Sequence, residues 1–356
     1  MGKSAFLEIL CEALKNSASD LHLSVGARPL MRIDGVLRAA GTGIFSEGDF
    51  SLMLEELRCG GAEIFKQKRE LDFGSEVFAG GAKIRLRVNL SYSLGLPAAA
   101  IRIIPPRVES IEELGLPAIL KDVAMSRGGL FLVTGPSGSG KSTTLAAIIE
   151  EINARRAAHI VTIEDPVEYI FEPKCALIHQ REAGRDTSSF AEALRRAMRQ
   201  DPDVIMLGEL RDTETAAAAL NAAETGHFVL STLHTGCAAA SVERMEGFFP
   251  LSAQPQVRAR LAHILTGVAS QRLARRVGGG RVAAVEVLIV TNAVRNCIRD
   301  GKSSQMDDVM RAGGQLGMST LEQSLARLCR GGTIELEEAL ELAASPEEFR
   351  TCLAAL

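Results

Sequence analysis

The chain has 356 residues, 46% of them hydrophobic, which is more than one core normally organises, so two domains with a helical appendix are expected. Forty Lys and Arg against 44 Asp and Glu leave a formal net charge of −4, which argues against nonspecific nucleic-acid binding by the chain as a whole. Seven scattered cysteines without a C-x-x-C pair speak against a zinc knuckle or a disulfide framework, and with no uncharged apolar run of about 18 residues and no leader-like start, a cytoplasmic protein that meets a membrane only through a partner is expected.

Residues 1–105 read as a small α+β domain. Phe6, Leu7, Leu10, Ala13 and Leu14 recur at helical spacing, Asp20–Val25 alternates as a strand, and Asp34-Gly35 supplies a two-residue hairpin turn. A helix fits 49–58 and strands fit 71–79, 82–90 and 98–104, which together predict an antiparallel sheet with helices against it. Lys83, Arg85 and Arg87 fall on one face of their strand, with Ile84, Leu86 and Val88 on the other. That cationic row suits either a solvated edge or a reach toward phosphates on a neighbour. Pro105-Pro106 and Leu114-Gly115-Leu116-Pro117 mark a linker over 106–120.

From 121 to 290 strands and helices alternate: strand 129–134, helix 141–152, strand 159–163, helix 188–200, strand 203–208, helix 212–223, strand 227–231, helix 255–270 and strand 282–289. This order predicts a parallel sheet with right-handed crossovers and a ligand outside the carboxyl ends of its strands. Residues 291–356 carry no convincing strand. Short helices at 291–299, 304–311, 319–330 and 335–343, punctuated by glycines and Pro346, predict a helical region packed on the core.

The first strand of this region, Leu130–Thr134, runs into Gly135-Pro136-Ser137-Gly138-Ser139-Gly140-Lys141-Ser142-Thr143, which satisfies G-x-x-x-x-G-K-[ST] at every fixed position. Gly135, Gly138 and Gly140 let backbone N–H groups turn inward around an anion. Lys141 brings a point charge to the β/γ-phosphates, and Ser142 can offer its hydroxyl to Mg²⁺. The bulky apolar strand before the loop and the apolar helix face after it supply the context that the motif requires.

Two further apolar strands end in acids, His159–Ile163 in Glu164-Asp165-Pro166-Val167-Glu168 and Asp203–Leu207 in Gly208-Glu209. In a parallel sheet both ends point to the same edge as the phosphate loop, so these acids can serve a metal ion and an attacking water. A buried carboxylate at a strand end is costly without a cation, which favours a functional Glu209, while Asp165 and Glu168 also suit turn or cap positions. His234, flanked by Thr232 and Thr235, follows another strand end and suits a γ-phosphate sensor. His227, at the start of that strand, reads more readily as an ordinary structural histidine than as a catalytic one. Six arginines between Arg258 and Arg281 suit an exposed helix face, an inter-subunit contact or a nucleic-acid patch.

In this order, Ser19-Asp-Leu-His-Leu-Ser24, the glycine-rich loop, Ile163-Glu-Asp-Pro-Val-Glu168, Asp201-Pro-Asp-Val-Ile-Met-Leu-Gly-Glu-Leu-Arg-Asp212, Thr232-Leu-His-Thr235, Ala293-Val-Arg-Asn-Cys-Ile298 and Gly317–Leu325 resemble the motifs of the secretion-ATPase superfamily, and within it those of type IV pilus retraction ATPases. The resemblance covers nearly the whole chain. It implies a PAS-like N-terminal domain, a RecA-like P-loop NTPase domain and C-terminal helices, assembled as a homo-hexamer that uses ATP and Mg²⁺. It also implies action at the inner membrane through a pilus platform protein, with a paralogous retraction ATPase as a further partner and no specific nucleic acid. Carried over residue by residue, it makes Glu164 the water-activating carboxylate, Glu209 a metal partner through water, and His227 and His234 a histidine pair. Arg85, Arg87 and Arg102 stand where the family's N-terminal domain gives arginines to a nucleotide in trans.

Three functions are compatible with the sequence: a retraction motor or its accessory paralogue, a pilus-assembly or type II secretion ATPase, and, outside the family, a DNA translocase. Assembly enzymes carry a larger N-terminal extension and a four-cysteine zinc element, neither of which this sequence shows, so retraction is the expectation.

Overall fold

The apolar run Leu130–Val133 is fully buried in the structure, a computed structural model that describes residues 4–60, 62–104 and 107–356. The chain divides into two units, Met1–Arg107 with Pro166–Ile170, and Val108–Asp165 with Phe171–Leu356.

In the first unit α1 (Ala5–Lys15) leads into β1 (Asp20–Ser24), β2 (Leu30–Ile33) and β3 (Val36–Ala39), followed by α2 (Glu47–Glu56), α3 (Ala62–Lys68), β4 (Leu71–Ala79), β5 (Ala82–Ser93) and β6 (Leu96–Ile104). The six strands form one antiparallel sheet in the order β3-β2-β1-β6-β5-β4. Asp34 and Gly35 both take positive φ, 48° and 84°, as a two-residue hairpin turn requires. Alternation along β5 is realised: Ile84, Leu86, Val88 and Leu90 are buried against Phe6, Leu10 and Ala13 of α1 and Phe50 and Met53 of α2, while Lys83, Arg85 and Arg87 take the other face.

The second unit begins with α4 (Ile119–Ala124) and β7 (Gly129–Thr134), then α5 (Lys141–Arg155), β8 (His159–Glu164), β9 (Leu177–Glu182), α6 (Phe190–Ala197), β10 (Val204–Leu207), α7 (Thr213–Glu224) and β11 (Phe228–Leu233). It continues through α8 (Ala238–Gly247), α9 (Gln254–Ile264), β12 (Leu265–Arg275) and β13 (Arg281–Ile289) to the helices α10 (Asn292–Arg299), α11 (Met306–Ala312), α12 (Leu321–Arg330), α13 (Leu336–Leu342) and α14 (Pro346–Ala355). Its seven strands are ordered β13-β12-β7-β11-β10-β8-β9, parallel throughout except for the antiparallel β12–β13 pair. The inner strands are buried end to end, which is why they read as continuous apolar runs.

Some expectations need correction. The helix expected over 255–270 stops at Ile264, and residues 265–275 form β12 between β7 and β13. Within that strand Gly267 is required: a Cβ there would lie 2.6 Å from the Leu288 carbonyl oxygen and 3.0 Å from the Phe131 ring, so the backbone passes flush against its neighbours. The expectation also missed α3, α4, β9, α8 and α14. The proline pair expected to open the linker, Pro105-Pro106, lies outside the described residues, and Val108 onward belongs to the second unit. The C-terminal helices close over β12 and β13, where Ala274, Val282 and Ala284 pack with Leu321, Leu325 and Phe349. All seven cysteines are free, and among the described residues no helix is long and apolar enough to cross a membrane.

Candidate functional site

The glycine-rich loop leaves β7 at Gly135, whose φ of 143° and close surroundings both demand glycine. A Cβ there would lie 2.3 Å from the Gln271 carbonyl oxygen and 2.6 Å from Ser139 Oγ. Gly140, at φ 89°, turns the chain into α5. Lys141 is 9% exposed and its ammonium donates to the carbonyl oxygens of Gly135 and Pro136, both at 2.9 Å. Ser142 is exposed and Thr143 half-buried on the same first turn, where a helix leaves backbone N–H groups without intrahelical acceptors and concentrates positive potential. Among the described residues the buried Ser139 hydroxyl has no partner, a polar group that an anion in the loop would satisfy.

Gln271 of β12 braces this loop and was not anticipated. Its side chain, 1% exposed, accepts from the Thr144 hydroxyl at 2.9 Å and donates to the Ser139 carbonyl oxygen, joining the loop and α5 to one strand. In the sequence it stands between Ser270 and Arg272, and nothing there singles it out.

Strand order sets out the remaining groups. β7, β11, β10 and β8 are consecutive and parallel, so the phosphate loop, His234, Glu209 and Glu164 stand in a row along one sheet edge, spanning about 14 Å at the usual strand spacing. Glu164, 8% exposed at the end of β8, accepts from the Thr162 hydroxyl at 2.7 Å and from the Gln180 amide at 3.2 Å. These donors fix its orientation. Glu209 lies between Arg211, which makes a close ion pair with it, and His234, whose Nε2 is 3.4 Å from its Oε2. Burial works to raise the Glu209 carboxyl, but the Arg211 hydrogen bond and charge, aided by His234, outweigh it and hold it below the usual carboxylate range. Arg211 also reaches Asp165 at 3.7 Å, so Asp165 turns outward beside the row while Glu164 stays within it.

His227 is not brought to this edge. It precedes β11, and seven residues of strand put it about 20 Å from His234 at the opposite end of the sheet. There its Nδ1 lies 3.0 Å from the Ala222 carbonyl oxygen and 3.1 Å from the Thr225 hydroxyl, pinning the turn from α7 into β11. The histidine pair therefore does not form around one site within a chain.

In the first unit, Arg87 and Arg102 are directly opposed on β5 and β6, and each meets a carboxylate: Glu168 at 3.3 Å and Asp20 at 3.0 Å. Arg85 lies 3.7 Å from Glu76. The six arginines between 258 and 281 do not make one patch. Arg258 pairs with Glu246, Arg260 with Glu224, Arg272 holds the Leu342 carbonyl oxygen and Arg275 pairs with Glu338, so four of them tie α9 and β12 to adjacent helices.

A parallel sheet whose glycine-rich loop opens a helix, with acids at the ends of neighbouring strands, defines the class: a P-loop α/β protein. Residues 4–279 match the family described as type II/IV secretion system protein, and the chain belongs to that family. It is 45% identical over 343 residues to the type IV pilus retraction ATPase PilT of Pseudomonas aeruginosa, covering 96% of this chain and 99% of that protein. A twitching motility protein of Neisseria gonorrhoeae is 45% identical over 90% of this chain and 86% of its own length. The crystal structure of the pilus retraction motor PilT with bound ADP superposes with a TM-score of 0.85 at 43% identity, covering 97% of this chain and 98% of that one.

Proposed function

We propose that this chain is an ATPase motor that powers type IV pilus retraction. The observation that carries the reading is the end-to-end likeness to PilT, 96% of this chain against 99% of that protein, which takes in the phosphate loop and all three strand ends. The second unit is its RecA-like motor and the first its PAS-like companion. Working units are homo-hexamers at the inner membrane, engaging a platform protein and, where one is present, a paralogous retraction ATPase.

At the nucleotide, Gly135 to Thr143 wrap the phosphates, and Lys141 exchanges its carbonyl partners for phosphate oxygens. The donor set suits Mg²⁺, a hard cation content with one hydroxyl, one carboxylate and substrate oxygens, and Ser142 and Glu209 are the residues that would hold it, Glu209 through water. When bound, that ion neutralises charge that develops on the β- and γ-phosphates. Glu209, kept ionised by Arg211, is suited to metal binding and poor as a proton acceptor. Glu164, oriented by Thr162 and Gln180, takes the proton of the attacking water. His234, in contact with Glu209, reports the γ-phosphate to that carboxylate. Arg85, Arg87 and Arg102 are the candidates for nucleotide contacts in trans, after release from Glu76, Glu168 and Asp20.

Deletion in the native cell tests the reading. Hyperpiliated cells that no longer twitch identify a retraction motor, bald cells an assembly ATPase, and unchanged piliation and motility would overturn both. In vitro, Mg²⁺-dependent phosphate release from ATP is expected, lost in Lys141→Ala.

A further inference from the structure

Glu286 is a buried acid that none of the roles above uses. It lies on β13 opposite Ser270 of β12, 6% exposed, and accepts from the backbone N–H of Ala238, the first residue of α8, at 2.6 Å. The N-cap residue of α8, Cys237, makes no side-chain cap of its own, so this carboxylate from another strand occupies the capping role. One turn further on, Ser241 is fully buried, with its Oγ 2.7 Å from Thr235 Oγ1 and 3.3 Å from Thr134 Oγ1. Thr134 is the last residue before the phosphate loop and Thr235 adjoins His234.

We propose that Glu286 is a positioning residue for the nucleotide site: by holding the start of α8 it seats Ser241 between Thr134 and Thr235, and so fixes the loop that carries His234. This rests on the ATPase reading of the site and adds a control to it. Burial pushes the Glu286 carboxyl up to about 7. Asp307 of α11 and Glu322 of α12 add to that, while the Ala238 N–H and Arg272 of β12 act against it. Cys237 also faces it, and its thiol is raised, chiefly by burial. The anion makes the stronger, charge-assisted bond to the helix end, so the His234 loop tightens as pH rises through neutrality.

The test compares the full-length protein with Glu286→Ala and Glu286→Gln in two assays. Hydrogen exchange is read on the 234–242 segment, independently of any turnover, and ATP hydrolysis is read from pH 6 to 8 beside binding of a fluorescent ADP analogue. Glu286→Ala should speed exchange across 234–242 and lower kcat about tenfold, with nucleotide affinity within about threefold of the parent. Glu286→Gln, which keeps an acceptor oxygen, should restore most of kcat at pH 6 and abolish the rise toward pH 8. Unchanged exchange in Glu286→Ala, or a parental pH profile in Glu286→Gln, overturns the proposal. A parent that neither binds nor hydrolyses nucleotide removes the ATPase reading, and the exchange result then decides the helix-capping role alone.

Discussion

Thr144 donates its hydroxyl to Oε1 of Gln271 at 2.9 Å, tying the first turn of α5 to a strand 127 residues later. The other end of the same amide holds the Ser139 carbonyl oxygen, so one side chain satisfies both the loop and the helix. Gln271→Ala strands both partners in a dry interior, at a cost of about 1–3 kcal/mol for each group left unpaired. A lowered Tm with nucleotide affinity reduced in step is expected by thermal melting and analogue titration. Gln271→Glu should be worse than Gln271→Ala for nucleotide affinity, because a carboxylate facing the Ser139 carbonyl oxygen repels it and adds negative charge beside the phosphates.

Glu209 and Arg211 form the second test. Because Arg211 keeps Glu209 ionised, Glu209→Gln removes the charge while conserving shape, and steady-state hydrolysis should fall at least about 100-fold with ADP affinity little changed. Turnover at the parental rate would show that the metal and water are served from elsewhere on the sheet edge. Arg211→Ala should produce a smaller loss, read as a kcat that falls toward acid pH because burial then raises the Glu209 carboxyl without Arg211 to oppose it.

How far this site could be read from sequence follows from what each residue faces. Leu130–Val133, Ile160–Ile163 and Val204–Leu207 are covered on both sides, so their runs are apolar but for Thr162 and their ends are sharp; the glycine-rich loop and the acids are legible because they sit at those ends. β9 escaped because Leu177-Ile-His-Gln-Arg-Glu182 is an edge strand, mostly half-exposed, with neither a continuous nor an alternating apolar pattern. β12 escaped because Ile264 and Leu265 pass from helix to strand without a glycine, proline or polar residue at the junction. Side-chain direction was also illegible: of the neighbours Glu164 and Asp165, one is held inside by Thr162 and Gln180 and the other turns out to Arg211, a difference that depends on β9 and on the loop after β10.

The two histidines flanking β11 should separate cleanly. His234→Ala removes a partner of Glu209 at the site edge and should slow hydrolysis by about one to two orders of magnitude at saturating ATP. His227→Ala loosens the turn after α7 and should register mainly as lost stability, on the order of 1 kcal/mol, with the kcat of the remaining folded protein conserved. Equal losses of kcat in both variants, at matched folded fraction, would mean that His227 reaches a nucleotide held by another copy of the chain.

Gly135 is the most demanding position of the loop. Its φ of 143° and the 2.3 Å approach a Cβ would make to the Gln271 carbonyl oxygen mean that even Gly135→Ala must push β12 and the loop apart. Nucleotide binding should be lost by isothermal titration while the first unit melts as in the parent. Gly138, with positive φ but open space around it, should tolerate alanine better, so the pair distinguishes a steric effect from a conformational one.

Glu286 yields a prediction about stability whose sign runs opposite to its effect on the loop. Its folded-state value, raised to about 7 from an ordinary 4.5, means that the folded chain holds the proton more tightly than the unfolded chain does. The associated stability is complete below pH 4.5, drains away as pH rises toward 7, and stays lost above it, a total of about 3 kcal/mol. Asp307, also raised by burial, pushes in the same direction. Glu286→Gln removes this dependence, so the Tm of the variant minus that of the parent should climb between pH 5 and pH 8; a constant difference would show that the carboxyl titrates normally. The ionised acid is thus the state that grips α8 hardest and the state the fold tolerates least, a combination expected where a buried charge is kept for placement of a loop rather than for cohesion.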